Sequence, residues 1–118
     1  MSEPKQCRDI NKLKADLRKK ILNILYALKH EGYHPFVLET LRSAERQAWL
    51  IKKGTTWTKH SRHQDGEACD IGFKDERGSV IWDSAFTGWG RLAHYAREQG
   101  LVAGHDWKKR DCPHVELP

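Results

Sequence analysis

The stretch SRHQDGEACD, Ser61 to Asp70, holds His63 and Asp70 seven positions apart with Gly66 and Ala68 between them, and the later stretch DCPHVEL adds Asp111 and His114 three positions apart. Two imidazoles and a carboxylate are the donor set of a catalytic zinc site, in which three protein ligands leave a fourth position for water. A spacing of seven is not helical, so the pattern is not the arrangement that puts two histidines on one helix face. His63 is expected to leave a loop and Asp70 a strand. Gly66 and Ala68 are small enough to let that loop turn tightly and lie against a sheet. Pro113 argues for a turn between Asp111 and His114. A carboxylate three residues from a ligand can stand beside a metal without binding it, taking a proton from the attacking water and passing it to a leaving amine. Arg42, if it reaches the same cleft, would stabilise a developing oxyanion or hold a substrate carboxylate.

Two other metal sites can be drawn from the same residues. Cys69 and Cys112 with His63 and His114 would make a thiolate-rich structural zinc site. Cys69 adjoins Asp70 on the expected strand, however, so the two side chains point to opposite faces and only one can meet the metal. Two histidines and a carboxylate also suit iron(II) and oxygen chemistry, although such sites usually need a larger barrel than this length permits. His30, His34, His60, His94 and His105 are read as surface or structural residues.

The elements that must position these groups follow from periodicity. Ile10, Leu13, Leu17, Ile21, Ile24, Leu25 and Leu28 recur at three and four, which predicts a helix over about 9–31 that ends near Gly32 and packs its apolar stripe on the rest of the domain. YHPFVLET reads as a strand, and RSAERQAWLIKKG as a second helix between a capping Ser43 and Gly54, which puts Arg42 at a strand-to-helix junction. ACDIGF reads as a strand, with GSVIWD as its partner across KDERG. DSAFTGWGRLAHYAREQG reads as a third helix starting near Asp83 or Ser84, and HVEL as a last strand. The order lacks the regular alternation of a doubly wound fold, so the expected class is α+β with a small, mostly antiparallel sheet in one domain, residues 1–118.

The 118 residues carry 21 Lys and Arg against 16 Asp and Glu, a formal charge of +5, and the pI is about 9.2. That favours polyanionic partners such as nucleic acid, anionic lipid or an anionic cell wall. The dense run NKLKADLRKK is first of all the solvated face of an amphipathic helix. Three cysteines without a CxxC spacing suggest neither a disulfide framework nor a cysteine-based zinc finger. The N-terminus lacks the apolar core of a signal peptide and ILNILYAL is too short to span a bilayer, so synthesis in the cytoplasm without membrane insertion is expected.

Taken together, the two segments resemble the signature of the zinc D-Ala-D-Ala peptidase and L-alanyl-D-glutamate endopeptidase family, which includes phage endolysins and is related in fold to lysostaphin-type enzymes and the Hedgehog signalling domain. SRHQDGEACD meets SxHxxGxAxD at every fixed position and DCPH meets the partner motif DxxH. TLRSAERQ resembles the segment carrying the family's arginine and a following glutamine, and Trp107 stands where these proteins often have a tryptophan before the catalytic acid. The resemblance implies a small α+β fold, a zinc ion held by His63, Asp70 and His114, Asp111 as base, Arg42 stabilising the transition state, and Ser61 and Gln47 contacting substrate. It also implies peptidoglycan peptides as the substrate; a monomer is expected, and for a lysis enzyme the missing signal peptide implies release to the wall through a holin or a similar route. An aspartate at 111 matches the endopeptidase branch, where the dipeptidase branch has glutamate, and Cys112 beside it departs from the pattern. A D-Ala-D-Ala carboxypeptidase and a non-catalytic zinc module are the alternatives within the family. A nucleic-acid-binding domain would rest on charge alone.

Overall fold

Residues three and four apart meet on one side of a helix, and the stripe Leu17, Ile21, Ile24 and Leu28 is buried to within 1% of complete. A computed structural model of the chain describes residues 2–56 and 60–118. This stripe belongs to α1 (Ala15–His30), which is shorter than the predicted helix because a 3₁₀ turn, Ile10–Lys12, precedes it. The break has a tertiary cause: the Lys14 amide donates to the Gly66 carbonyl at 3.0 Å instead of to a helical carbonyl. Gly66 has φ +70°, and a Cβ there would lie 2.9 Å from the Lys12 carbonyl oxygen. The loop that carries His63 is therefore seated directly on the chain entering α1.

The remaining elements are β1 (Pro35–Glu39), α2 (Ala44–Lys52), β2 (Ala68–Phe73), α3 (Thr87–Glu98), β3 (Val102–Ala103) and β4 (His114–Glu116). The four strands form one antiparallel sheet in the order β1-β2-β4-β3, the α+β class that the pattern predicts. Along β2 the residues alternate between faces. Cys69, Ile71 and Phe73 join Val115 of β4 in the core beneath α1 and the α3 residues Trp89, Leu92, Ala93 and Ala96. Asp70 and Gly72 lie on the other face.

Two further predictions differ from the structure. GSVIWD makes only an isolated bridge, Lys74 to Val80, instead of a strand. Asp75 and Asp83 take backbone N–H groups two to four residues ahead (Arg77 and Ser79; Ala85) and hold this segment in turns. The Asp83 carbonyl also accepts from the Trp89 indole and the Phe86 amide, so α3 starts at Thr87 and not at Asp83 or Ser84. The two-residue β3 was not anticipated. No helix among the described residues is long and apolar enough to cross a membrane.

A buried ionic clasp joins α2 and the N-terminal segment to the sheet. Glu39, at the end of β1, accepts from Arg42 Nη2 at 2.7 Å, Arg42 Nε at 3.2 Å and Arg46 Nε at 2.6 Å. Arg46 also donates to the Pro4 carbonyl, and Thr40 donates through its amide to the Cys7 carbonyl and through its hydroxyl to the Asp9 carbonyl. Burial alone would raise the Glu39 carboxyl, but the two guanidiniums outweigh it and hold the group below the usual glutamate range.

Truncating Ile21 to Ala should cost about 2–5 kcal/mol in urea unfolding, whereas Leu22→Ala, at a half-exposed position on the opposite side of α1, should stay within about 0.5 kcal/mol. For Glu39, the folded value lies below the unfolded one, so between them the unfolded chain binds more protons. Its contribution is complete above the ordinary glutamate value and is lost as the pH falls through the depressed one. Glu39→Gln should therefore cost roughly 3–5 kcal/mol near neutrality, because it leaves two buried cations short of a partner. It should also flatten the acid limb of stability against pH in urea titrations; an unchanged acid limb would contradict the clasp.

Candidate active site

Strand register brings the chemistry together. Asp70 on β2 is paired with His114 on β4 and, on its other side, with Glu39 on β1. Directly paired residues of antiparallel strands project to the same face, so Asp70 and His114 meet although 44 residues separate them. His63 arrives from the 3₁₀ turn Arg62–Asp65. Ser61 caps that turn by accepting the His63 amide at 3.2 Å, and Gln64 returns a bond to the Ser61 amide at 2.9 Å, a reciprocal capping pair.

The imidazole tautomers follow from their outer partners. His63 Nδ1 faces the Thr40 carbonyl at 2.8 Å, which can only accept, so the proton lies on Nδ1 and the Nε2 lone pair points to Asp70 Oδ1 at 3.2 Å. His114 Nε2 donates to Glu116 Oε1 at 2.7 Å, leaving Nδ1 toward the same Asp70 oxygen, also at 3.2 Å. Two nitrogen lone pairs and a carboxylate oxygen thus converge within 4.8 Å of one another. Three acceptors facing each other require a shared cation or proton between them. Tetrahedral zinc bonds of about 2.0–2.1 Å would place ligand atoms roughly 3.3 Å apart, close to the 3.2 Å that separates Asp70 Oδ1 from each histidine nitrogen. The residues therefore fit a zinc-sized ion.

Without a cation, protons compete for the same lone pairs. Burial would lower the His114 imidazole, but Asp70 and Glu116 outweigh it and push it up to about 9. Burial would likewise raise Asp70, and the two histidines hold it far below the usual carboxylate range.

The cluster lies in a cleft of about 840 Å³ whose walls include Arg42, Ser61 and Asp111. Asp111 is at the exposed rim with its carboxyl toward the cleft, where desolvation by the surrounding protein and the charge of Asp70 raise it against the pull of His114, His63 and Arg42. The turn from Asp111 to His114 closes on itself through the His114 amide and the Asp111 carbonyl at 3.1 Å, and it packs on Gly104, where any Cβ would collide with the Asp111 carbonyl. The Trp107 ring lies 5.1 Å from that of His114.

Arg42 reaches the site, with Nη2 4.0 Å from Asp70 Oδ2. Three of the five N–H groups of its guanidinium bind Glu39 and Gln47, so two remain for the cleft. Gln47 is 1% exposed and stands behind Arg42, accepting from Nη1 at 3.0 Å; it is not among the described residues of the cleft wall. Cys69 is buried in the core, on the face away from Asp70, and Cys112 packs at the core's edge, so the thiolate-rich alternative is not assembled. Sequence reasoning missed Glu39, Thr40 and Glu116. Of these only Glu116 left a signal: two residues beyond His114 on a strand, it had to share that residue's face.

No family model matches the sequence. The peptidoglycan L-alanyl-D-glutamate endopeptidase CwlK of Bacillus subtilis is 29% identical over 134 aligned positions, which cover 99% of this chain and 77% of the relative. Among solved structures, the L-Ala D-Glu endopeptidase ChiX of Serratia marcescens superposes with a TM-score of 0.78 at 28% identity over 99% of this chain and 92% of that one. The LD-carboxypeptidase LdcB, at 17% identity, a TM-score of 0.68 and coverage of 98% and 63%, shares the fold alone. The fold, the cross-strand His–Asp–His cluster and two likenesses running almost the full length of the chain agree, and the chain is similar in sequence and in fold to peptidoglycan L-alanyl-D-glutamate endopeptidases.

Proposed function

We propose that the protein is a zinc-dependent peptidase that hydrolyses the bond between L-alanine and D-glutamate in peptidoglycan stem peptides, as the names of CwlK and ChiX describe for those proteins. The observation that carries this reading is the convergence of His63 Nε2, His114 Nδ1 and Asp70 Oδ1 in a cleft that Asp111 and Arg42 also line. A zinc ion held by His63, Asp70 and His114 would acidify water and polarise the scissile carbonyl. Asp111 takes the proton from the attacking water and delivers it to the departing amine, a role for which a raised carboxyl is suited. Arg42 turns its two remaining N–H groups toward the negative charge that develops on the carbonyl oxygen. Glu39 and Gln47 hold the guanidinium in place, so Gln47 acts on substrate through Arg42. Ser61 contacts substrate at the cleft wall. In a phage-type lysis enzyme the positive net charge would draw the protein to the anionic wall, and release through a holin-type pore would bring it there.

Purified cell walls should lose turbidity with the wild-type protein, and a chelator should abolish that loss until zinc is restored. Asp111→Asn should slow it by about 10²–10⁴-fold while still binding one zinc per chain, and mass spectrometry of released fragments should show new D-glutamate N-termini. Lysis that persists under chelation, or an Asp111→Asn variant as fast as wild type, would overturn the mechanism. Glu116→Ala should weaken zinc binding by about 10–100-fold in competition with a chromophoric chelator; undiminished affinity would show that the carboxylate does not tune His114.

A further inference from the structure

Leu38 lines the cleft beside the His–Asp–His cluster, and the strand beneath it is built to bring Leu38 and Phe36 close. Gly72 lies two residues beyond Asp70 on the same face, and a Cβ there would stand 2.9–3.0 Å from Leu38 and Phe36 side-chain atoms. The glycine lets those two side chains approach the β2 backbone closely. Phe36 is paired with Gly72, and at about 3.4 Å per residue this is roughly 7 Å along the strand from Asp70. Two cations lie over the Phe36 ring: Arg8, with Cζ 5.9 Å from its centroid, and Lys74, with Nζ at 4.8 Å. Neither makes an ion pair among the described residues. Both residues are exposed, and Arg8 lines the cleft together with Leu38, Val80 and Trp82.

We infer that Arg8 and Lys74, stacked on Phe36, form a carboxylate-binding subsite that receives the acidic, amine-side portion of the substrate. This rests on the function proposed above. In an alanyl–glutamate bond the amine side is the one bearing a free carboxylate, and one to two residues of extended peptide span the distance from the metal cluster to Phe36. The subsite thereby fixes chain direction: the leaving segment runs over Gly72 toward Phe36, and the acyl side lies toward Trp107. Arg8 comes from the N-terminal segment, which the Thr40–Cys7 and Arg46–Pro4 bonds hold in place, so that segment forms part of the specificity wall. Cations already resting on an aromatic face and with no acidic partner among the described residues give up no ion pair there when a carboxylate arrives.

The test compares two stem peptides, one with the free α-carboxylate of D-glutamate and one with that carboxylate amidated, by calorimetric titration of zinc-loaded full-length Asp111→Asn protein, which holds them uncut. The free acid should bind about 10-fold or more tightly than the amide. Arg8→Gln combined with Lys74→Gln should bring the ratio close to one without changing affinity for the amide, and Arg8→Lys should keep most of the preference. A ratio near one in the parent protein, or an unchanged ratio in the doubly neutralised protein, would overturn the subsite. Cleavage of the same peptides by the wild-type chain is scored separately: binding discrimination without cleavage would refute the enzymatic reading while leaving the subsite standing.

Discussion

The site depends on the register of β2 against its two neighbours. Glu39, Asp70 and His114 form one row across three strands, and a slip of a single residue would present Cys69 or Val115 in place of a ligand. Burial prevents that slip. Cys69, Ile71, Phe73 and Val115 are all fully buried beneath α1 and α3, and moving any of them to the cleft face would expose the sheet's apolar side while driving a carboxylate or an imidazole into the core. The apolar face thus specifies the placement of the polar one.

Around that row, each buried polar group is committed to a task. The Thr40 carbonyl and Glu116 set the two imidazole tautomers, and Thr40 is itself held by Cys7 and Asp9. Arg62 reaches Glu116 at 3.1 Å, so the turn carrying one histidine braces the outer partner of the other. Such outer contacts decide which nitrogen is available to a metal and how basic it is. The inward-facing lone pairs are left opposing one another, a state that a cation relieves.

The same economy of parts governs the charged residues of the cleft. Glu39 binds both Arg42 and Arg46 within the fold, leaving Arg42 oriented yet with donors to spare. Asp111 has no such partner among the described residues and is raised by burial and by the charge of Asp70. Gly104 admits the turn that carries it, and Gly66 seats the opposite loop. Two glycines therefore set the approach of the two loop segments that carry His63 and Asp111.

Much of this was legible in the chain. Three-and-four spacing marked α1, because burial of one helix face depends only on local geometry, and strand alternation separated Cys69 from Asp70 before any coordinates. The spacing of His63, Asp70 and His114 named the residues of the cluster, because their chemistry is intrinsic to side-chain type. What the sequence left open are matters of distance between segments remote in the chain. The helix broke at Leu13 and Lys14 because Lys14 bonds to Gly66, GSVIWD stayed out of the sheet because two aspartates captured its backbone, and Gln47 is buried against the Arg42 guanidinium. Residue types determined which chemistry was available, whereas only tertiary packing decided which lone pairs face one another, since that depends on contacts no local pattern encodes.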